Sequence, residues 1–205
     1  MTEAGLKRQR NLRGEGGRLR QEVVEAAMRI LDRSPASLLS LRTVAKEAGV
    51  AAPSLYRQFD DASAMLREVE RECWRQLGVE VATAAEQVKD DPPLSRLQEQ
   101  LGAYVRYAMQ RPSRYQLLFA IQLSSDTDFD GPVRPAYRPV LETIESHALS
   151  GGKLPTADTV SAAILTISLV HGRIALAHLA PARPGNSAAL VEDFIRETLG
   201  RLFTA

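Results

Sequence analysis

Residues 48–59 read AGVAAPSLYRQF. A glycine closes one apolar run, two alanines and a proline open the next, and an aromatic ends it. Arg57 is the only charge in the stretch. Gly49 takes positive φ at no steric cost, so it turns the chain sharply behind a helix. Pro53 is tolerated in the first turn of a following helix, where its missing N–H has no partner to lose. The stretch therefore predicts helix, tight turn and helix, with the last piece over about 52–58.

Working back from the turn, Ser40 is placed to cap a helix over 41–48 with its hydroxyl. Upstream, Leu19, Val23, Ala27, Ile30 and Leu31 recur at steps of three and four and share one helical face. Ser34-Pro35 stops that helix. Val44, Ala45, Ala48, Val50, Leu55 and Phe59 supply the apolar contacts among the three pieces, and Ala45 is small enough for a close crossing. This is the layout of a helix-turn-helix, whose second helix enters the DNA major groove. Its outward positions are Ala51, Ala52, Ser54, Arg57 and Gln58.

Working forward, Asp60 and Asp61 suit the N-terminus of a long helix over 62–88. Its inward face is Leu66, Val69, Cys73, Leu77, Val81, Ala84 and Val88, and Gly78 marks a bend or a close contact. Further helices are predicted at 94–110, 112–123, 133–149, 156–180 and 187–203, with a loop at 124–132. No stretch alternates as a strand does. The expectation is an all-α chain of about nine helices. A flexible basic arm (1–17) precedes a three-helix head (18–61), and a helical body for ligand binding and dimerisation follows (62–205).

The chain has 205 residues and a net charge of +1, which says little about partners until it is split. Residues 1–60 carry +4 and the remainder −3. A basic head on a mildly acidic body is a charge asymmetry that net charge alone hides. Cys73 is the only cysteine, which excludes an internal disulfide and a cysteine-based metal framework. The basic N-terminal residues have no apolar run behind them, so no signal peptide is expected. The most apolar stretch, 160–180, is interrupted by Ser168, His171, Gly172, Arg173 and His178 and reads as a buried helix, not a membrane span. The expected setting is the bacterial cytoplasm.

The run LSLRTVAKEAGVAAPSLYRQF (39–59) resembles the DNA-binding signature of the TetR family of bacterial transcriptional regulators. Ser40, Arg42, Ala45, Gly49, Val50, Ser54, Leu55, Tyr56 and Phe59 carry the resemblance, which extends over about 18–65. It implies a homodimer paired through its last two helices, a palindromic double-stranded operator and a small-molecule effector held in the body. It also implies DNA contacts from Ser40, Arg42, Ala52, Pro53, Ser54, Tyr56, Arg57 and Gln58. Arg42 and the Tyr56 hydroxyl would hold phosphates, and Ala52, Pro53 and Ser54 would face base edges. Arg57 and Gln58 would reach bases or backbone, since arginine pairs with guanine and glutamine with adenine. Two departures stand out: Ala62 occupies a position where many members carry a phosphate-gripping lysine, and the recognition helix opens on alanines. The basic residues Lys7, Arg8, Arg10, Arg13, Arg18 and Arg20 are candidates to compensate from the arm.

In the body, Trp74, Tyr104, Tyr107, Tyr115, Phe119 and His171, with Met109 and His178, are the candidate liners of an effector pocket suited to a small apolar or aromatic molecule. For any one of these aromatics taken alone, plain core packing is the favoured reading. His171 and His178 share a helical face but lie about two turns apart, too far for easy grip on one ion. No catalytic spacing, phosphate loop or metal motif is present in the sequence, so no cofactor, metal or enzymatic activity is expected. The leading reading is a ligand-responsive repressor. The alternatives are a helical ligand-binding protein or enzyme whose turn is only structural, and a DNA-binding dimer without a natural ligand.

Overall fold

The structure, a computed structural model, describes residues 16–120, 131 and 133–204. Among these it shows nine α-helices, one short 3₁₀ turn and no strand, the all-α class expected. The chain divides into two compact units, Met1–Leu66 and Arg67–Ala205.

The first unit holds α1 (Gly16–Leu31), α2 (Leu41–Ala48) and α3 (Ala52–Tyr56). The helix α1 starts at Gly16, inside the segment expected to form a flexible arm. Residues 1–15, including Lys7, Arg8, Arg10 and Arg13, lie outside the described residues. The first helix buries Leu19, Val23, Ala27, Ile30 and Leu31 as its spacing predicts, and Val24, Ala26 and Met28 as well. Each of the larger side chains contributes about 1.5–3 kcal/mol on burial. α1 packs on α2, and α2 on α3. Glu47 of α2 pairs with Arg29 at 3.1 Å and also with Arg33, fastening α2 to the end of α1. The arginines hold the Glu47 carboxyl below its ordinary range.

The second unit contains most of α4 (Ala62–Gln87), then α5 (Pro93–Gln110), α6 (Pro112–Ala120), α7 (Arg134–Leu149), α8 (Thr159–Leu179) and α9 (Ala188–Thr204). The sixth helix was expected to reach 123; residues past 120, and nearly all of the 124–132 loop, fall outside the described residues. α5 is the central member, packed against α9, α7, α8 and α6. Arg106 pairs with Glu192 and Arg196 with Glu99 across α5 and α9. Val69, Cys73, Leu77, Val81 and Ala84 are buried along α4 as expected, while Leu66 and Val88 are only half-buried.

Gly78 marks a close contact. A Cβ there would overlap the Pro135 carbonyl, so the absent side chain is what lets α7 approach α4. Helix α8 departs from its sequence reading. It is long and apolar enough, by length and composition, to cross a membrane. It buries Ala162, Ala163, Thr166, Ile167, Val170, Ile174 and Ala177, yet leaves Val160, Ile164, Leu165, Leu176 and Leu179 exposed. A helix apolar all round was expected to be covered on more than one side. Among the described residues α5, α7 and α9 pack against it and leave those side chains uncovered.

Candidate functional site

The helix-turn-helix is built by local capping. Ser40 Oγ accepts from Thr43 N at 3.1 Å, and Thr43 Oγ1 accepts from Ser40 N at 2.9 Å, a reciprocal capping box that starts α2. The Ser40 hydroxyl thus has a structural partner already. Gly49 ends α2 with φ 67 and ψ 30, the left-handed conformation that glycine alone adopts freely. Its N–H is bonded back to the last turn, and Val50 N follows to Ala45 O at 3.0 Å. α3 then starts at Ala52 with Pro53 at its second position, and ends at Tyr56, two residues short of the predicted end. The reason is a switch to short-range bonds: Gln58 N reaches Leu55 O at 2.8 Å.

Leu55 and Phe59 are buried and anchor this helix from within. Arg42, Pro53, Tyr56 and Arg57 are exposed, while Ser40, Ala52, Ser54 and Gln58 are half-buried. Tyr56 is 62% exposed, which for a large aromatic places most of its ring in water. Arg57 Nη2 donates to Ser54 Oγ at 3.3 Å, so in the free protein this arginine folds back over its own helix. Asp61 Oδ1 accepts from Ala64 N at 2.6 Å, so Asp61 caps α4 beside the position that lacks a lysine.

Arg20, expected among the arm's cations, does something else. It is half-buried, donates to the Gln58 carbonyl at 2.9 Å and lies over the Phe59 ring at 4.7 Å. It secures the end of α3 and is not a free cation. Arg18 pairs with Glu22 at 3.1 Å.

In the second unit the aromatic candidates separate into two groups. Trp74, Tyr104 and Tyr107 are fully buried packing residues. Tyr107 donates to the Cys73 carbonyl at 3.3 Å. Tyr115, Phe119, His171 and His178 do line a cavity of about 370 Å³, together with Gln116, Ala175 and Leu179. Trp74 stands behind it, edge-on to Phe119 at 5.7 Å and to Tyr137 at 5.5 Å. Met109, also a candidate, is absent from the lining. Sequence reasoning missed Gln116, Ala175 and Leu179. Steps of four and three from His171 through Ala175 to His178 mark one face of α8 and were a usable signal.

The cavity has a polar floor. Tyr115 Oη lies 2.6 Å from His171 Nδ1, and Tyr104 Oη is 3.5 Å from Tyr115 Oη. Burial pushes the Tyr115 and Tyr104 hydroxyls well above their ordinary range, so both stay protonated. The Tyr115 hydroxyl and His171 Nδ1 share a hydrogen bond whose donor is set by the imidazole tautomer. Burial, and then the charge of His178, hold His171 below its ordinary value; burial does the same to His178. Both rings are neutral near pH 7. Phe119 lies against His171 with ring centres 3.9 Å apart. The cavity thus sets aromatic faces beside hydroxyl and imidazole groups. Among the described residues no group of three or more metal-ligating side chains comes together.

An exposed recognition helix after a left-handed glycine, with a second helical unit carrying an aromatic cavity, defines a helix-turn-helix regulator with an effector domain. Residues 23–69 match the profile described as bacterial regulatory proteins, tetR family, and residues 97–198 match that of the tetracyclin repressor-like C-terminal domain. The chain belongs to the TetR family of bacterial transcriptional regulators. It is 28% identical over 159 residues to an uncharacterized HTH-type transcriptional regulator of Mycobacterium tuberculosis, covering 77% of this chain and 69% of that one. Among solved structures it resembles a protein of unknown function from Rhodococcus sp. RHA1, with TM-score 0.74 and 20% identity over 91% of this chain and 96% of that one. It also resembles RolR in complex with resorcinol, with TM-score 0.67 and 16% identity over 92% and 89% of the two chains.

Proposed function

We propose that this regulator is a repressor that binds a palindromic operator as a homodimer and releases it when a small aromatic molecule occupies the cavity of the second unit. The cavity walled by Tyr115, Phe119, His171 and His178 carries the effector reading: aromatic walls select a ring, and the imidazoles select polar substituents on it. Resorcinol, the ligand of RolR, has that chemistry and is the natural first probe. The ligand acts only by binding the released state more tightly than the DNA-bound one.

The exposed apolar stripe supports dimerisation through the last two helices. Val160, Ile164, Leu165, Leu176 and Leu179 on α8 and Leu190 and Phe194 on α9 are uncovered in one chain. A second copy would cover them by two-fold symmetry, the symmetry a palindrome requires. On the DNA side Arg42, Tyr56, Arg57 and Gln58 supply phosphate and base contacts, with Ala52, Pro53 and Ser54 against base edges.

The test is fluorescence anisotropy with duplexes from the DNA upstream of the protein's own gene. Binding should weaken steeply with salt and fall on adding an aromatic effector. No salt-dependent binding to any upstream duplex would rule the reading out. Leu176→Glu with Phe194→Glu should convert the dimer to monomer in sedimentation and cost operator affinity with it.

A further inference from the structure

The cations of the first unit fall into two groups. Arg18 pairs with Glu22 at 3.1 Å, Arg29 with Glu47 at 3.1 Å, and Arg33 with the same Glu47 carboxylate. Arg20 donates to the Gln58 carbonyl and covers the Phe59 ring. These four lie on α1 or just after it, and their charges hold the head together. Arg42, Lys46 and Arg57 form the other group. All three are exposed, and among the described residues none has a carboxylate partner. Arg57 donates to a neutral hydroxyl, that of Ser54.

The family resemblance implies DNA contacts from Arg42 and Arg57 but none from Lys46. Lys46 lies four positions after Arg42 on α2, so the two side chains are neighbours on one helical face. The core face of α2 is Leu41, Val44 and Ala45. With a turn of about 3.6 residues, Arg42 and Lys46 leave on one flank of that face, and Glu47 leaves on the opposite flank. Glu47 is the only acid of α2, and it is held by Arg29 and Arg33. One flank of α2 therefore carries two exposed cations and no acid.

In a helix-turn-helix the first helix of the pair crosses the phosphate backbone while the second enters the groove. α2 is that first helix. Residues four apart are separated by about 6 Å along the axis. That exceeds the roughly 3.4 Å of duplex axis between charges on one strand, so the two cations can take separate phosphates. The rest of the reading surface is poor in charge. Arg57 is the first charged residue after Glu47, and α4 opens on Ala62 where many family members carry a lysine. The competing role for Lys46 is structural: it stands in the last turn of α2, where a cation complements the helix dipole. That role requires no DNA, which makes the two separable.

We infer that Lys46 is a further DNA contact, holding a phosphate one helical turn along α2 from the one held by Arg42; this rests on operator binding by the head. The experiment is fluorescence anisotropy of the full chain on the upstream duplex that the unaltered protein binds most tightly, over about 50 to 200 mM salt. Lys46→Gln removes the charge and keeps a good helix former. It should flatten log affinity against log salt by about 0.9 per protomer and weaken binding by roughly threefold or more at the lowest salt. Lys46→Arg should keep both slope and affinity. A lower melting temperature for Lys46→Gln with the salt slope unchanged is the result of a dipole role alone, and it overturns the inference. So does an unchanged slope with unchanged melting. In both cases operator binding by the unaltered protein still stands. Absence of salt-dependent binding by the unaltered protein removes operator binding itself, and this contact with it.

Discussion

Arg20 Nη1 donates to the main-chain carbonyl of Gln58 at 2.9 Å while its guanidinium covers the Phe59 ring. That carbonyl follows the last turn of α3, where helix ends leave acceptors unpaired. One side chain of α1 therefore satisfies the end of the recognition helix and shields its buried anchor. Arg20→Met keeps the apolar stem and removes both interactions. It should destabilise the first unit by about 2 kcal/mol in urea unfolding and weaken operator binding. Arg20→Lys should recover only part of the loss, because an ammonium cannot donate and stack in the same geometry.

Arg42 and Tyr56 are exposed. Arg42→Ala should flatten the dependence of log affinity on log salt by about 0.9 per protomer, the signature of one lost phosphate contact. Tyr56→Phe should weaken binding with little change in that slope, since it removes a neutral hydroxyl. Unchanged affinity in both variants would remove these two residues from the interface.

Two glycines separate conformational cost from steric cost. At Gly49 a Cβ would meet nothing within 4 Å, so Gly49→Ala pays only for positive φ, about 1 kcal/mol. At Gly78 the φ is ordinary but a Cβ would overlap the Pro135 carbonyl. Gly78→Ala must push α7 away from α4 and should cost more, about 1–3 kcal/mol. Calorimetry on the two variants ranks them.

Below pH 7 the two imidazoles of the cavity set the trend. Their values in the folded chain lie below the ordinary 6.5, so the unfolded chain binds protons first. Stability is then full above about pH 6.5 and falls as pH drops below it. The pair His171→Gln, His178→Gln should flatten this slope between about pH 6.5 and 5.5, above the range where most carboxylates titrate. Glu70, raised by burial, has the opposite sign. Denaturant midpoints across this window report the difference.

Burial pushes the Cys73 thiol up to about 12, leaving almost no thiolate at neutral pH. Cys73 should therefore resist Ellman's reagent in the native chain and react at the rate of unfolding. Rapid native labelling would show that α4 opens locally.

The head was legible in the sequence because its rules are local. A capping serine, a left-handed glycine and a proline at the start of a helix each act within a few residues, so α2 and its turn were placed to the residue. The exposure of Arg42, Tyr56 and Arg57 followed from the same spacing, but the role of Arg20 did not. Its partner lies thirty-eight positions away, and a basic residue near the N-terminus gives no local sign of such a bond. In the body the aromatic residues were visible but their division was not. Tyr104 and Tyr115 are both tyrosines on neighbouring helices, and only packing decides that one fills the core while the other lines a cavity.

Helix α8 carries His171, Ala175, His178 and Leu179 at the aromatic cavity and Ile164, Leu165 and Leu176 uncovered on its outside. Under the proposed function, chemical taste and choice of mate are written on a single rod of twenty-one residues. After gene duplication, a paralogue drifting toward a new effector would disturb the surface by which copies recognise one another. Sister regulators in one cell would then part into separate homodimers as a by-product of acquiring separate signals.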